Sequence, residues 1–350
     1  MQRIFIAAIY FASLSLGALA QAPQSTAPPA SQASQPAPPT FEAAQSLAGK
    51  GRLDKALAML DELAAQSPEP AGVERLRGSI FYQKDQFPEA IAAFAKAEAQ
   101  DPLDRESIEM HGVTLYRQGR PAEAIPLLEK AHAAVERANI DPEYVLGLCY
   151  ADVNRYDDAR HAFATQYGFQ PDSAEAYLLA ARLFFRREMV AQAAVEARKA
   201  LEINPALPLA HQLLGEAALS RSDIPGAITE LEAERKLNPL NGALYDRLGD
   251  AYLRNEQYTE AQQALNRAVL LEPSTTAPYI LLGKTFLKLN QPIEALHYLD
   301  RAVKMDPSNY ITHNLLGQAY KATGQAAEAN REFQQVYDLQ HKETPQPAGK

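Results

Sequence analysis

A recurrence at 34 residues limits what this chain can fold into more than any other feature. Pro68, Pro102, Pro171, Pro205, Pro239, Pro273 and Pro307 stand 34 residues apart, except that Pro102 to Pro171 spans two intervals plus one residue. Gly78, Gly112, Gly147, Gly215, Gly249, Gly283 and Gly317 keep the same step, with Ala44 and Ala181 at the two vacant positions. A third series runs Ala56, Ala90, Ala124, Ala159, Ala193, Ala227, Ala261, Ala295 and Ala329. Four residues after each comes a large apolar side chain (Leu60, Phe94, Leu128, Phe163, Leu231, Leu265, Leu299, Phe333), with Ala197 as the one break. A fixed period of this length marks stacked supersecondary units, each too small to bury its apolar face alone.

Within each unit the spacings specify two helices. Helices approach closely where side chains are small, so the glycine of the first helix and the alanine of the second should form the contact. Large residues at helical spacing then fill the seam to the next unit. Gly51, Gly119, Asn154, Asn290 and Gly324 fall between the two helices, where a left-handed residue is easiest for Gly or Asn. The proline after the second helix ends it and redirects the chain.

One unit reads Tyr245-x-x-Leu248-Gly249-x-x-Tyr252, then Ala261, Leu265, Ala268 and Pro273; the next keeps Tyr279, Leu282-Gly283, Phe286, Ala295, Leu299, Ala302 and Pro307. This pattern resembles the tetratricopeptide repeat. About nine units frame at residues 37–70, 71–104, 105–138, 140–173, 174–207, 208–241, 242–275, 276–309 and 310–343, with one extra residue near Asn139. The first unit opens in a proline-rich stretch, so its first helix is expected to be short. The third and last units lack the terminal proline. The second helix of the ninth, with Asn330, Arg331, Glu332, Gln334 and Gln335, is polar enough to serve as a solvent face. The resemblance implies an all-α fold: an α-solenoid, a right-handed superhelix of helix-turn-helix hairpins whose first helices line a concave groove. Members of the family hold extended peptides or short helices of protein partners there.

Ahead of the array, Arg3 is followed by an uncharged, apolar-rich run from Ile4 to Ala20, and the triplets Ala18-Leu19-Ala20 and Ala20-Gln21-Ala22 suit a signal peptidase. Residues 1–22 read as a signal peptide, cut at Ala20 or Ala22, or else as an uncleaved anchor; only the anchor would give the chain a membrane contact. Either way the array is expected to be exported, to a periplasm or outside a bacterial cell. Residues 23–39 are Pro, Ser, Gln and Ala with one Thr and no large apolar side chain, a composition that cannot offset its ordering entropy and reads as a disordered linker. A polar tail, 344–350, follows the array.

The formal net charge is -9 and no basic block stands out, which argues against nucleic acid as a partner. No cofactor or metal is expected. A single cysteine, Cys149, cannot make an internal disulfide or a multi-thiolate metal site; between Leu148 and Tyr150 it reads as core. The histidines are scattered among units with no pair at ligand spacing on one helix face. Gly283-Lys284-Thr285 imitates the end of a phosphate loop, but Pro278 stands where that loop needs glycine. Nothing in the sequence forms a catalytic constellation, and the chain is not expected to be an enzyme.

By the family's geometry, the second, fifth, ninth, twelfth and thirteenth residues of each first helix turn inward, offsets that share one helical face. The twelfth residues are Tyr82, Tyr116, Ala151, Phe185, Leu219, Leu253, Leu287 and Lys321. They form either an apolar floor for a ligand or packing between adjacent first helices. Around them lie Arg182 and Arg186; Asp246, Asp250 and Arg254; Lys284 and Lys288; and Asn314, Gln318 and Lys321. These cations and amides could hold a carboxylate or an acidic peptide; the alternative is a solvated face. The lysine–asparagine clamp of chaperone-binding members does not superpose, because Lys284 has no asparagine one turn away. The expected partner is a protein or peptide held in the groove. The rival readings are a structural subunit of an envelope complex that uses its convex face or ends, and a regulatory partner of an envelope enzyme.

Overall fold

The structure, a computed structural model, describes residues 39–133 and 142–341. The signal segment, nearly all of the linker, the extra residue near Asn139 and the C-terminal tail lie outside the described residues. The described residues form eighteen α-helices paired in chain order. The pairs are α1 (Phe41–Gly49) with α2 (Leu53–Ala64), α3 (Val73–Gln83) with α4 (Phe87–Gln100), and α5 (Arg105–Arg117) with α6 (Pro121–Ala133). They continue with α7 (Pro142–Asp152) and α8 (Tyr156–Tyr167), α9 (Ala174–Arg186) and α10 (Val190–Ile203), and α11 (Ala210–Ser220) and α12 (Ile224–Leu237). The last three are α13 (Gly242–Arg254) with α14 (Tyr258–Leu271), α15 (Thr276–Lys288) with α16 (Pro292–Met305), and α17 (Tyr310–Ala322) with α18 (Ala326–His341). Each helix packs on its hairpin partner, and each second helix from α2 to α16 packs on the first helix of the hairpin that follows, giving an α-solenoid.

Local chemistry sets the helix starts. Thr40, Asp104, Ser173, Asp223, Asn241 and Asn309 cap helices by accepting a backbone N–H two or three residues on. Pro88, Pro225 and Pro292 occupy first-turn positions where the missing N–H costs nothing. α1 has nine residues, fewer than any other helix described.

The recurrent glycine makes room for a residue other than the one expected. A Cβ on Gly78 would lie 2.6 Å from the Phe94 ring, on Gly147 2.5 Å from Phe163, and on Gly283 2.3 Å from Leu299 Cγ. The glycine thus seats the large residue four after the alanine, and the alanine lets the backbones close. Seven of those large residues, Leu60 through Leu299, are fully buried; Phe333, in the last hairpin described, is 36% exposed. The fifth hairpin departs as a matched pair. Ala181 replaces the glycine, its methyl takes the seat, and Ala197 replaces the large residue; both are fully buried in a small-residue cluster with Ala194, Leu213 and Ala217.

The turn inside every hairpin has one left-handed residue: Gly51, Asp85, Gly119, Asn154, Glu188, Ser222, Glu256, Asn290 and Gly324, with φ between 56° and 80°. A second recurring device ties each late hairpin to the one before. The hydroxyls of Tyr245 and Tyr279 donate to the carbonyls of Pro239 and Pro273, each at 3.1 Å, and His313 Nε2 lies 3.0 Å from the Pro307 carbonyl in the same register. His111, His211 and His313 each place Nδ1 2.6–2.8 Å from a glutamate of a second helix (Glu98, Glu230, Glu332); the first pair crosses to the preceding hairpin and the other two join the helices of one hairpin, so these histidines serve packing contacts.

Candidate functional site

The first helices of neighbouring hairpins pack on one another, from α1 against α3 to α15 against α17 with α7 and α9 the exception, while the second helices pack chiefly on first helices. The inner, concave side of the array is therefore built from first helices. Its ninth-residue positions divide it in two. In α5 and α7 they are Val113 and Leu148, 7% and 5% exposed. In α9 to α17 they are Arg182, Glu216, Asp250, Lys284 and Gln318, half-buried or exposed.

A polar bridge closes the first section. Arg187, the residue that follows α9, donates from Nη1 to the Tyr116 hydroxyl on α5 at 3.1 Å and from Nη2 to Asp152 at the end of α7. The bond to Tyr116 joins residues 71 apart in sequence and spans two hairpins, in an array where contacts otherwise run to the adjacent hairpin. Beneath it Cys149 is fully buried, and burial foremost pushes its thiol up to about 12, which makes it a packing residue. Burial also raises the Tyr116 phenol, opposed by the Arg187 hydrogen bond.

The twelfth-residue stripe lies in the seams. Leu253 is buried, and Tyr82, Tyr116, Phe185 and Leu287 are half-buried against the core clusters on either side. Arg117 adds a guanidinium 5.8 Å from the Tyr82 ring centre. The charged candidates are more open. Arg182, Arg186, Lys284, Lys288 and Lys321 are exposed and make no ion pair among the described residues. Arg254 Nη1 lies 3.6 Å from Asp250, one turn away on α13. Gln318 donates to Asn314 at 2.5 Å, leaving both amides at the surface of α17.

Asp246 is the most constrained of the set. Its side chain is 14% exposed and its Oδ1 is enclosed with no hydrogen-bond donor. Arg247 Nη1 is 3.5 Å from Oδ2, while its Nε is 3.6 Å from Glu216. Burial raises the Asp246 carboxyl above its ordinary range; Arg247 opposes the rise, and Asp250 and Glu272 add to it. The sequence reading missed Arg187, Asp152, Glu216 and Arg247. Asp152 and Glu216 occupy the inward thirteenth and ninth positions, so register alone could have found them. Arg187 and Arg247 each lie one residue past an inward position and enter the site only through the reach of the guanidinium arm.

The sequence profile described as "Tetratricopeptide repeat" matches residues 41–105, 144–208, 213–278 and 280–345. The chain belongs to the tetratricopeptide repeat family. The profile described as "Anaphase-promoting complex, cyclosome, subunit 3" matches residues 83–166. No curated protein matches the chain in sequence. Among solved structures, it is similar to MamA from Desulfovibrio magneticus RS-1 (23% identity, 50% of this chain and 98% of that one, TM-score 0.47). It is also similar to YrrB, described as a TPR protein with an unusual peptide-binding site (22% identity, 53% and 95%, TM-score 0.48). A third is the APC/C hetero-tetramer Cut9-Hcn1 (18% identity, 79% and 54%, TM-score 0.43). The repeat family and the solenoid together make this chain a scaffold of the kind that mediates protein–protein interaction.

Proposed function

We propose that the chain is an exported scaffold that binds a segment of a partner protein along the open section of its groove, from α9 to α17. One observation carries this reading: the inward ninth positions that are sealed and apolar in α5 and α7 hold unpaired, accessible charge in α9 and α15. Unpaired cations aligned on successive helices offer charge-assisted hydrogen bonds to a ligand without first breaking internal pairs. The groove is a binding surface and not a reaction centre, so the activity is recognition.

Export rests on the apolar run before Ala20 and the small-residue triplets after it. Expression of the full chain in a bacterium tests it: the protein should be recovered from the periplasm or medium with its N-terminus at Gln21 or Pro23. Recovery from the cytoplasm with Met1 intact would remove this part of the reading.

A second reading has its own support. Ile203, Leu240, Leu270 and Ile293, on second helices and the turns after them, are 53–72% exposed. Scattered apolar side chains are ordinary, but these sit on the hairpins opposite the open groove, where an envelope complex could dock. Partner capture separates the two readings. A chain carrying Arg182→Glu, Lys284→Glu and Lys288→Glu, checked for native helicity by circular dichroism, should lose the partner if the groove holds it. Retention there, with loss on Leu240→Ser and Ile293→Ser, would transfer the site to the outer face.

A further inference from the structure

We propose that the open groove reads its partner segment by charge order: an acidic residue, then a basic one, then an acidic one. This deepens the groove reading above and depends on it. α9 presents Arg182 and Arg186; the next inward charges are Glu216 on α11 and Asp246 and Asp250 on α13, with Arg254 one turn beyond Asp250; α15 and α17 follow with Lys284, Lys288 and Lys321. The groove therefore runs positive, negative, positive along its length. The two positive stations have no internal ion pairs among the described residues.

The negative station is incompletely neutralised. Among the described residues, Glu216, Asp246 and Asp250 are paired only with Arg247, shared between Glu216 and Asp246, and Arg254, beside Asp250. One negative charge is left over. Glu216 and Asp250 are half-buried, so their carboxylates stay within reach of an arriving ammonium or guanidinium. A uniformly acidic peptide would be attracted at both ends and repelled in the middle, which gives the groove a term against the wrong partner.

Geometry sets the spacing. Packed helices lie about 10 Å apart, and an extended chain advances about 3.3 Å per residue, so a peptide passes one hairpin in roughly three residues. From α9 to α13 is two hairpins, or roughly six residues; from α13 to α15 is roughly three, and to α17 roughly six. The segment thus carries its basic residue between two acidic ones at those separations, and it can run in either direction.

The test uses the full chain and two fluorescein-labelled synthetic peptides of identical composition, read by fluorescence anisotropy at low salt. One has the order acidic, basic, acidic at the spacing above; the other has its basic residue moved to the end. The first should bind at least about tenfold more tightly, as one additional charge-assisted contact allows. Asp250→Lys should remove that preference, and Lys288→Glu should weaken the ordered peptide. If both peptides bind equally and both are lost on Lys284→Glu with Lys288→Glu, the groove stands and the charge order is overturned. If neither binds while partner capture still depends on those lysines, the ligand chemistry is overturned. If binding ignores every groove substitution, the charge order and the groove reading fail together.

Discussion

Between α5 and α9 the concave face is shut; from α9 to α17 it is open, although both stretches follow one 34-residue plan. In the shut stretch the inward ninth residues are Val113 and Leu148, and the core beneath is aromatic. Phe163 lies 6.3 Å from Phe184 and 5.8 Å from Tyr144, and Tyr156 lies 5.5 Å from Phe184, between ring centres. In the open stretch three hairpins seat a leucine on their glycine (Leu231, Leu265 and Leu299), as Leu128 does on Gly112 in the shut one, and the inward positions hold charge. The hairpin backbone is common to both. What differs is the side chain at a few inward positions and whether an arginine arm crosses over them. A repeat array can thus set aside one part of its groove for stability and another for binding without altering its helices.

The comparison breaks most readily at Phe163. Its ring is fully buried over Gly147, so Phe163→Ala should cost about 3–5 kcal/mol. Native-state hydrogen exchange should then lose protection in α5 to α10 before α15 to α18, because units of a repeat array are stabilised chiefly by their neighbours. Equal loss everywhere would show one cooperative body and dissolve the division. Arg187→Ala comes next. It leaves Asp152 and Tyr116 without their shared donor and should cost about 1–3 kcal/mol. Cys149, protected in the native chain, should be alkylated faster once the bridge is gone. Arg186→Ala, one residue away at an exposed and unpaired position, should stay within about 0.5 kcal/mol. Similar effects from the two arginines would mean the bridge does not hold the section shut.

How much of this the sequence discloses follows the periodicity. Two helices per unit, glycine seats and proline stops were readable because each recurs at 34 residues. At the hairpin turns, Gly51, Gly119, Asn154, Asn290 and Gly324 signal a left-handed residue by type; Asp85, Glu188, Ser222 and Glu256 hold the same conformation without that signal. Their conformation is imposed by the helices on either side, and only register reveals it. Ala181 and Ala197 looked like two separate departures until the packing showed one side chain making way for the other. The shut stretch was hidden for another reason: a groove-facing position names a direction, whereas exposure depends on what the next helix and a distant Arg187 place over it.

The turns sharpen the comparison by testing what a hairpin at the boundary between the sections shares with one inside the open section. Glu188 and Glu256 both have positive φ, 63° and 61°, and a left-handed residue with a Cβ costs roughly 1–2 kcal/mol. Glycine removes that strain and adds back some unfolded-chain entropy, so Glu188→Gly and Glu256→Gly should each stabilise by about 0.5–1 kcal/mol. Thermal melts of the two variants should shift upward alike. A gain at one turn only would mean that the plan is not common to both hairpins.

The smallest effect, and the one most specific to the open section, is the pH dependence of Asp246. Its folded carboxyl is raised by burial, so between the ordinary aspartate value of about 3.9 and the raised value the folded chain holds more protons than the unfolded one. Its contribution to stability is fully present below the ordinary value and is lost as pH rises through the folded one. Asp246→Asn should therefore raise stability at neutral pH and flatten that part of the profile. Asp157 on α8, in the shut section, is held low chiefly by its hydrogen bond from Arg160, and its sign is opposite: its contribution is present above the ordinary value and lost as pH falls through the folded one. Denaturant midpoints of Asp246→Asn and Asp157→Asn across the acid range should move in opposite directions relative to the parent chain. If Asp246→Asn destabilises at neutral pH, the carboxylate already has a partner inside the fold, and the negative station of the groove is not waiting for a cation.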